Sequence, residues 1–386
     1  MRIRSTRMEV SLENYRHNYR VIREFIKEPS NSRVISVIKA NAYGMGAVPV
    51  AWNLKTAGAD FFAVATPDEA IELKEAGIED PVLVLGSSPY DAADVYVERG
   101  IRVTVTDFTM AEACSKAARR QNRPAHIHMK VDSGMGRLGF LPDAALEAAK
   151  RISSLPGIDF EGIFTHFSTA DSGNLTHTHS QFETFSAIAD SIRNAGINVR
   201  MTHCCNSGAL LFGFSHMYRD AVRPGHILNG ILPSSLCPRS IPFKPCFELK
   251  TSVGALRELP SGTGISYGLT YITPETERVA VLPIGYADGY SRALSNKGEV
   301  LIRGKRCPIR GVVCMDQCIV GVSHLEKVEV GDEVVLIGSQ SGETIAVEEL
   351  AQMLSVPPAA IPVAFTARLP RVYCGCKYSQ SGGIHS

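Results

Sequence analysis

Several things are scarce in this 386-residue chain. Neither sign of charge is in excess: 40 Lys and Arg stand against 39 Asp and Glu, a formal net charge of +1. No general field would draw the protein onto nucleic acid or an acidic membrane, so a small-molecule partner is expected. No apolar run approaches bilayer-spanning length, and the basic N-terminal stretch MRIRSTRMEVSLENY lacks the apolar segment of a secretory leader. The expectation is a soluble, cytoplasmic protein with no membrane partner. The ten cysteines include no paired C-x-x-C knuckles. Cys204-Cys205, Cys307, Cys314, Cys318 and Cys374-x-Cys376 suit neither zinc spacing nor a disulfide framework, so we read them as free thiols and expect no metal. Internal repeats are missing, and low complexity is confined to a Ser/Gly-rich C-terminal tail.

With 45% hydrophobic residues, a chain of 386 residues can bury enough surface for two domains. Up to about residue 225, short β-rich runs alternate with amphipathic stretches: VISVI, FFAVA, VLVLG, IRVTV, HIHMKV, FEGIFTH, VRMTH and DAVR are the strands expected. SLENYRHNYRVIREFI carries a helical stripe with Ser11 as its cap, and TPDEAIELKEAG another with Thr66 as cap, Pro67 at the first position and Gly77 as terminator. About eight β-then-α units in roughly 225 residues predict a (β/α)8 barrel rather than an open sheet. After Ile241 short strands follow one another closely, and no long helical period returns until VEELAQML. The Pro-rich joint from Leu232 to Pro245 marks the boundary, giving a barrel over residues 1–240 and a mostly β domain over 241–386.

In such a barrel the chemistry sits where strands end and βα loops begin. Lys39 follows the first strand in VISVIKANAYGMG. Taken alone, it reads as a snorkelling surface lysine. Its company changes that reading, because Arg137, His166, Asn206, Ser207 and Arg223 follow later strands and would converge on the same rim. A lysine partly desolvated among cations has a lowered pKa, and its neutral amine is a nucleophile for an aldehyde. A competing signal is G-x-G-x-x-G at Gly134, Gly136 and Gly139, with Glu161 downstream. We discount nicotinamide binding, because the next helix begins only at Pro142 and Asp143, and Arg137 stands between the glycines.

VIKANAYGMG, KVDSGMGRLGF, THFSTAD, HCCNSGAL, VRPG, GISYGLTY, PIGYADGYSRALSN, VVCMDQ and RLPRVY occur in one order over nearly the whole chain. This series resembles the alanine racemases, pyridoxal 5'-phosphate enzymes built from a (β/α)8 barrel and a β-rich C-terminal domain, with active sites shared across a homodimer. The resemblance implies that Lys39 holds the cofactor and serves as one catalytic base, and that Tyr267, from the partner subunit, serves the opposite face of the amino acid. It implies Arg223 opposite the cofactor's ring nitrogen, His166 between that arginine and the tyrosine, and a phosphate held by Tyr43, Ser207, Gly225 and His226. Arg137 would orient the substrate carboxylate, with Lys130, carbamylated in many members, steadying it. Met315, Asp316 and Tyr286 would border the substrate and its entry path.

The chain departs from the family pattern at Met45, where a histidine is usual, and at His226 and Asn229, which replace an aliphatic residue and a tyrosine. The largest departure is Ala367, where several members carry a tyrosine bordering the substrate methyl. Alanine racemisation, supplying D-alanine for peptidoglycan, is therefore the expected activity, with serine or mixed alanine/serine racemisation as the alternative. A decarboxylase on the related barrel lacks its C-terminal cysteine and aspartate motifs here. A non-catalytic cofactor carrier would not need the roughly 140 residues after Ile241.

Overall fold

The computed structural model describes residues 4–27, 31–375, 377–379 and 383–385. Residues 1–3 of the basic N-terminus, Cys376, and residues 380–382 and 386 of the Ser/Gly-rich tail lie outside them. The chain opens with strand β1 (Arg7–Ser11), which the sequence did not signal. It is five residues long and runs straight into a helix, Leu12–Phe25, whose Ser11 cap accepts from the Asn14 amide at 3.2 Å.

The barrel follows. Its parallel strands are β2 (Arg33–Val34), β3 (Ser36–Val37), β4 (Phe62–Val64), β5 (Val82–Val84), β6 (Arg102–Val105), β7 (Ala125–Lys130), β8 (Ile158–Phe164), β9 (Met201–Asn206) and β10 (Ala221–Arg223). They lie in the order β2-β10-β9-β8-β7-β6-β5-β4-β3. The single expected strand VISVI is thus two short ones, because its two ends pair to opposite sides. The amides of Arg33 and Ile35 donate to Asp220 and Val222 beside β10, whereas those of Ser36 and Ile38 donate to Phe61 and Ala63 beside β4. That crossover closes the ring, which explains why eight sequence runs yield nine strands. Ile35, Val37, Phe61, Ala63, Leu83, Met201 and Ala221 form a separate buried cluster. Each comes from a barrel strand or its edge, as a packed barrel interior requires.

The remaining strands build the β layer. β11 (Phe247–Ser252) pairs antiparallel with β1, and the last long-sheet strand, Arg371–Cys374, pairs parallel with β1 on its other side. The first strand of the chain therefore lies in the sheet of the C-terminal layer. Two contacts join that layer to the Lys39 loop. A Cβ at Gly44 would meet the Pro362 carbonyl at 2.4 Å, and a Cβ at Gly46 would meet the Tyr373 hydroxyl at 2.0 Å. Both glycines have positive φ, so close approach and backbone shape each require glycine. Arg371 completes the joint, donating from Nε to the Gly44 carbonyl at 2.9 Å and from its Nη atoms to the carbonyls of Phe365, Thr366 and Leu369. Among the described residues no helix is long and apolar enough to cross a membrane.

Candidate active site

Lys39 begins a turn of unusual shape. Ala40, Asn41, Ala42 and Tyr43 all lie in the left-handed region, with φ of 51°, 55°, 51° and 56°. Each such non-glycine residue costs roughly 1–2 kcal/mol, so the turn persists only if its surroundings hold it. They do. Glu69 accepts from the Ala40 amide at 2.5 Å, and the Asn41 side chain accepts from the Ala47 amide at 2.7 Å. Glu69 is also the third residue of the helix Pro67–Glu75, where it forms a capping box with Thr66. The capping signal was legible, but the second task of that carboxylate, bracing the lysine turn, was not.

Lys39 opens into a cavity of about 250 Å³ at the carboxyl ends of the barrel strands. Lys130, Arg137 and Arg223 also line it, against one carboxylate, Asp171. Tyr43, His166, Ser168, Asn206, Ser207, Gly225 and His226 add to its polar wall. The site suits an anion. Burial, helped by Arg137 and opposed by Glu69, lowers the Lys39 pKa. Burial and the neighbouring Arg223 bring Lys130 down to about 7. Its amine donates to the Val131 carbonyl at 3.2 Å and stands over the Phe164 ring. Burial and the surrounding cations Arg223, Arg137, Lys130 and Lys39 hold His166 well below the usual imidazole range.

Arg223 is 4% exposed. Its Nη1 lies 2.8 Å from His203 Nδ1, and its Nη2 donates to the carbonyls of Thr165 at 2.6 Å and Cys204 at 3.2 Å and faces His166 Nδ1 at 3.4 Å. All these acceptors are neutral. Ser207 accepts from the Gly225 amide at 3.0 Å, and a Cβ at Gly225 would come within 2.2 Å of the Tyr43 hydroxyl. His226 packs its ring against Tyr43 at 5.4 Å, while burial and Lys39 take its pKa down to about 4. Of the other departures, Met45 is buried, and Asn229 donates to the Gly225 carbonyl at 2.9 Å.

The glycine motif has a different use from the one a dinucleotide would give it. Asp132 accepts from the amides of Gly134, Met135 and Gly136 through Oδ1 and from that of Arg137 through Oδ2, at 2.8–3.0 Å. Burial opposes its ionisation, yet the four amides hold its carboxyl below the usual range. The loop is wrapped round its own anion and presents Arg137 to the cavity. Glu161 pairs with Arg102 at 3.0 Å.

Four of the expected site residues lie elsewhere on the chain. Tyr267, 71% exposed, lines a shallow depression with Met315 and Asp316, apart from the Lys39 cavity. Tyr286, exposed, adjoins that loop through its amide, which donates to the Cys314 carbonyl at 3.0 Å. Asp316 is paired with Arg368 at 2.8 Å. Ala367 is exposed, on the segment that Arg371 ties to the lysine turn, but it is not in the cavity wall. The nine described cysteines are all free. The candidate ligand atoms of His126, Asp159 and Glu161 lie within 4.8 Å of one another, but Arg200 and Arg102 already pair with the two carboxylates.

A closed parallel barrel with a lysine of lowered pKa at its catalytic rim, ringed by cations, defines a (β/α)8-barrel enzyme centred on a reactive amine. Comparison with known proteins narrows the class. Models of the alanine racemase N-terminal and C-terminal domains match residues 10–233 and 246–373. The chain is 42% identical to alanine racemase 2 of Caldanaerobacter subterraneus subsp. tengcongensis over 372 residues, 96% of this chain and 95% of that one. It is 42% identical to the alanine racemase of Desulforamulus reducens over 369 residues, 95% of this chain and 98% of the relative. Among solved structures, the alanine racemase of Clostridium difficile 630 superposes with a TM-score of 0.92 at 34% identity, covering 100% of this chain and 98% of that one. That of Bacillus anthracis with bound L-Ala-P gives 0.90 at 34% identity with the same coverage. The chain belongs to the alanine racemase family.

Proposed function

We propose that this protein interconverts L-alanine and D-alanine with pyridoxal 5'-phosphate, as a cytoplasmic homodimer that supplies D-alanine for peptidoglycan. The observation that carries the reading is Lys39, its pKa lowered, in a cavity that it shares with Lys130, Arg137 and Arg223 and one carboxylate, Asp171. The residues present fit the cofactor. An excess of positive charge suits a phosphate, the Tyr43 and Ser207 hydroxyls can donate to it, and only glycine at 225 leaves the Tyr43 hydroxyl in place. Arg223 would offer N–H donors to the ring nitrogen and, as a charged guanidinium, would leave that nitrogen unprotonated and so discourage side reactions such as transamination.

When bound, pyridoxal 5'-phosphate supplies an aldehyde for the amino group and a conjugated ring that accepts the electron pair left at Cα. The chain supplies the proton transfers and the orientation. Racemisation requires a proton to leave Cα on one face and return on the other, so two bases are needed. Lys39, as a neutral amine, takes or returns the proton on its face. Tyr267 of the partner subunit serves the opposite face, and Met315, Asp316 and Tyr286 of the same exposed surface then border the substrate. His166 accepts from Arg223 on Nδ1, which leaves its proton on Nε2, a donor that can steady a phenolate. Arg137 holds the substrate carboxylate with its planar fork. Lys130, brought down to about 7, is about half neutral at that pH, the form that takes up CO2, and a carbamate there would pair with Arg137.

The test is loss of optical activity from L-alanine and from L-serine by purified protein supplied with the cofactor. Rapid loss with alanine supports the reading. The serine rate tests Ala367, which lies outside the cavity wall on the segment tied to the lysine turn: a serine activity would fit the space that a tyrosine side chain from this position would fill. Cofactor absorbance without loss of optical activity in any amino acid would replace the racemase with a carrier.

A further inference from the structure

A line of buried side chains runs from Arg223 away from the cavity. His203 Nδ1 lies 2.8 Å from Arg223 Nη1, and His203 Nε2 lies 2.8 Å from His128 Nδ1. His128 Nε2 then faces Glu161 Oε2 at 3.8 Å, with no nearer hydrogen-bond partner. Both histidines are 0% exposed and Glu161 is 7% exposed.

The proton positions along this line follow from one fact: a guanidinium has donors and no acceptor. His203 Nδ1 must therefore accept, so its single proton sits on Nε2. That proton is donated to His128 Nδ1, which must accept in turn. The proton of His128 is left on Nε2, directed at the Glu161 carboxylate. The environment keeps the whole line in this state. Burial and Arg223 hold His203 well below the usual imidazole range, and burial lowers His128 as well. Burial opposes ionisation of Glu161, but the facing imidazole of His128 and the Arg102 guanidinium, bonded at 3.0 Å, hold its carboxyl below the usual range.

The packing is built for this arrangement. The His203 ring stacks on Phe164 at 4.8 Å and 6°. His128 lies opposite Gly162 in the β7–β8 register, and a Cβ at Gly162 would come 2.4 Å from His128 Nδ1. Any larger residue there would displace the imidazole.

We infer that Glu161, itself held by Arg102 at 3.0 Å, anchors the far end of this line, and that His203 and His128 are positioning residues whose locked tautomers fix the Arg223 guanidinium. The inference rests on the reading above only in taking Arg223 to face the cofactor. A carboxylate placed directly on Arg223 would neutralise it and take its donors. Two neutral imidazoles between them leave the guanidinium charged, oriented and open towards the cavity.

Two measurements test this. In protein stripped of cofactor and labelled with 15N-histidine, long-range 1H–15N spectra should show His128 and His203 both neutral and protonated on Nε2 at neutral pH. A proton on Nδ1 of either, or a cationic ring, overturns the inference. In the holoenzyme, His128→Gln preserves the polarity, since its amide oxygen can accept from His203 and its NH2 donate to Glu161. His128→Leu breaks it. We expect kcat for alanine to fall about ten-fold in His128→Leu with KM little changed, and to stay within about two-fold of the parent in His128→Gln. Equal loss in the two variants overturns the positioning role. Because the tautomers are read without cofactor or substrate, a failure of the racemase reading would leave that result unaffected.

Discussion

Lys39 and Tyr267 occupy contrasting surroundings. Lys39 lies half-buried in a cavity whose walls come from the ends of barrel strands, and its turn is held by Glu69, Asn41 and Arg371. Tyr267 is 71% exposed, in a shallow depression beside the exposed Met315 and Asp316, with Leu269 and Ile272 exposed nearby. One region has everything needed to bind an anion and lower the pKa of an amine. The other has an aromatic hydroxyl and apolar surface with nothing yet to act on. A two-base reaction needs both, and a single chain keeps them apart. Under the function proposed above, the site would be finished when a second copy of the chain brings its Tyr267 to the first copy's Lys39 across a two-fold interface.

The strongest way to break this comparison is to remove its buried half. Lys39→Ala should abolish racemisation, by at least about 10⁴-fold, and eliminate the borohydride-reducible cofactor adduct while leaving the circular dichroism unchanged. A surviving adduct would move the attachment to another lysine. Tyr267→Phe should cost about 10²–10⁴-fold and slow solvent-isotope wash-in for one enantiomer more than the other. Equal wash-in from both enantiomers would contradict a base on each face. Mixing the two inactive variants sharpens the test. If the site is shared, subunit exchange creates heterodimers with one intact site, so up to about a quarter of parent activity should return. No recovery after verified exchange would place both bases in one chain.

A smaller effect is expected from Lys130, where the sign of the pH dependence is set by its lowered pKa, about 7 in the fold against 10.5. Between those values the unfolded chain binds the extra proton, so this group's contribution makes the folded state more stable as pH rises from 7 to 10.5. Below pH 7 the charged amine remains buried, at a cost on the order of 5 kcal/mol. In CO2-free buffer Lys130→Met should therefore be most stabilising, relative to the parent, below pH 7, with the gain shrinking towards pH 10 in thermal melts. A pH-independent difference would show that the amine is not the cause. The smallest effect should come from Ala367→Tyr, with a few-fold drop in the serine-to-alanine ratio of kcat/KM. An unchanged ratio would remove Ala367 from the substrate boundary.

The barrel was legible because most strands are short apolar runs bounded by helical periods, and some helices carry their own cap, as Ser11 and Thr66 do. Ten expected residues, Asn206 among them, line one cavity because a barrel brings every strand end to the same rim. Other features could not be read locally. The Arg7–Ser11 strand depends on partners some 240 and 360 residues away. The splitting of VISVI depends on ring closure, and the glycine motif was deceptive because its amides turn inward to Asp132. Glu69 was readable as a capping residue but not as the brace of a left-handed turn contributed by another segment.

By itself, then, the order of residues determined the periodicities, the caps, the alternation of strand and helix, and the chemical types available at each strand end, since these depend on neighbours within a turn or two. Only the tertiary structure decided which charges meet. The low pKa of Lys39, the lone carboxylate among four cations, the tautomers leading from Arg223 to Glu161, and the distance of Tyr267 from all of them come from burial and long-range contact. Electrostatic energies depend on distance and on solvent exclusion, and neither is a property of sequence separation.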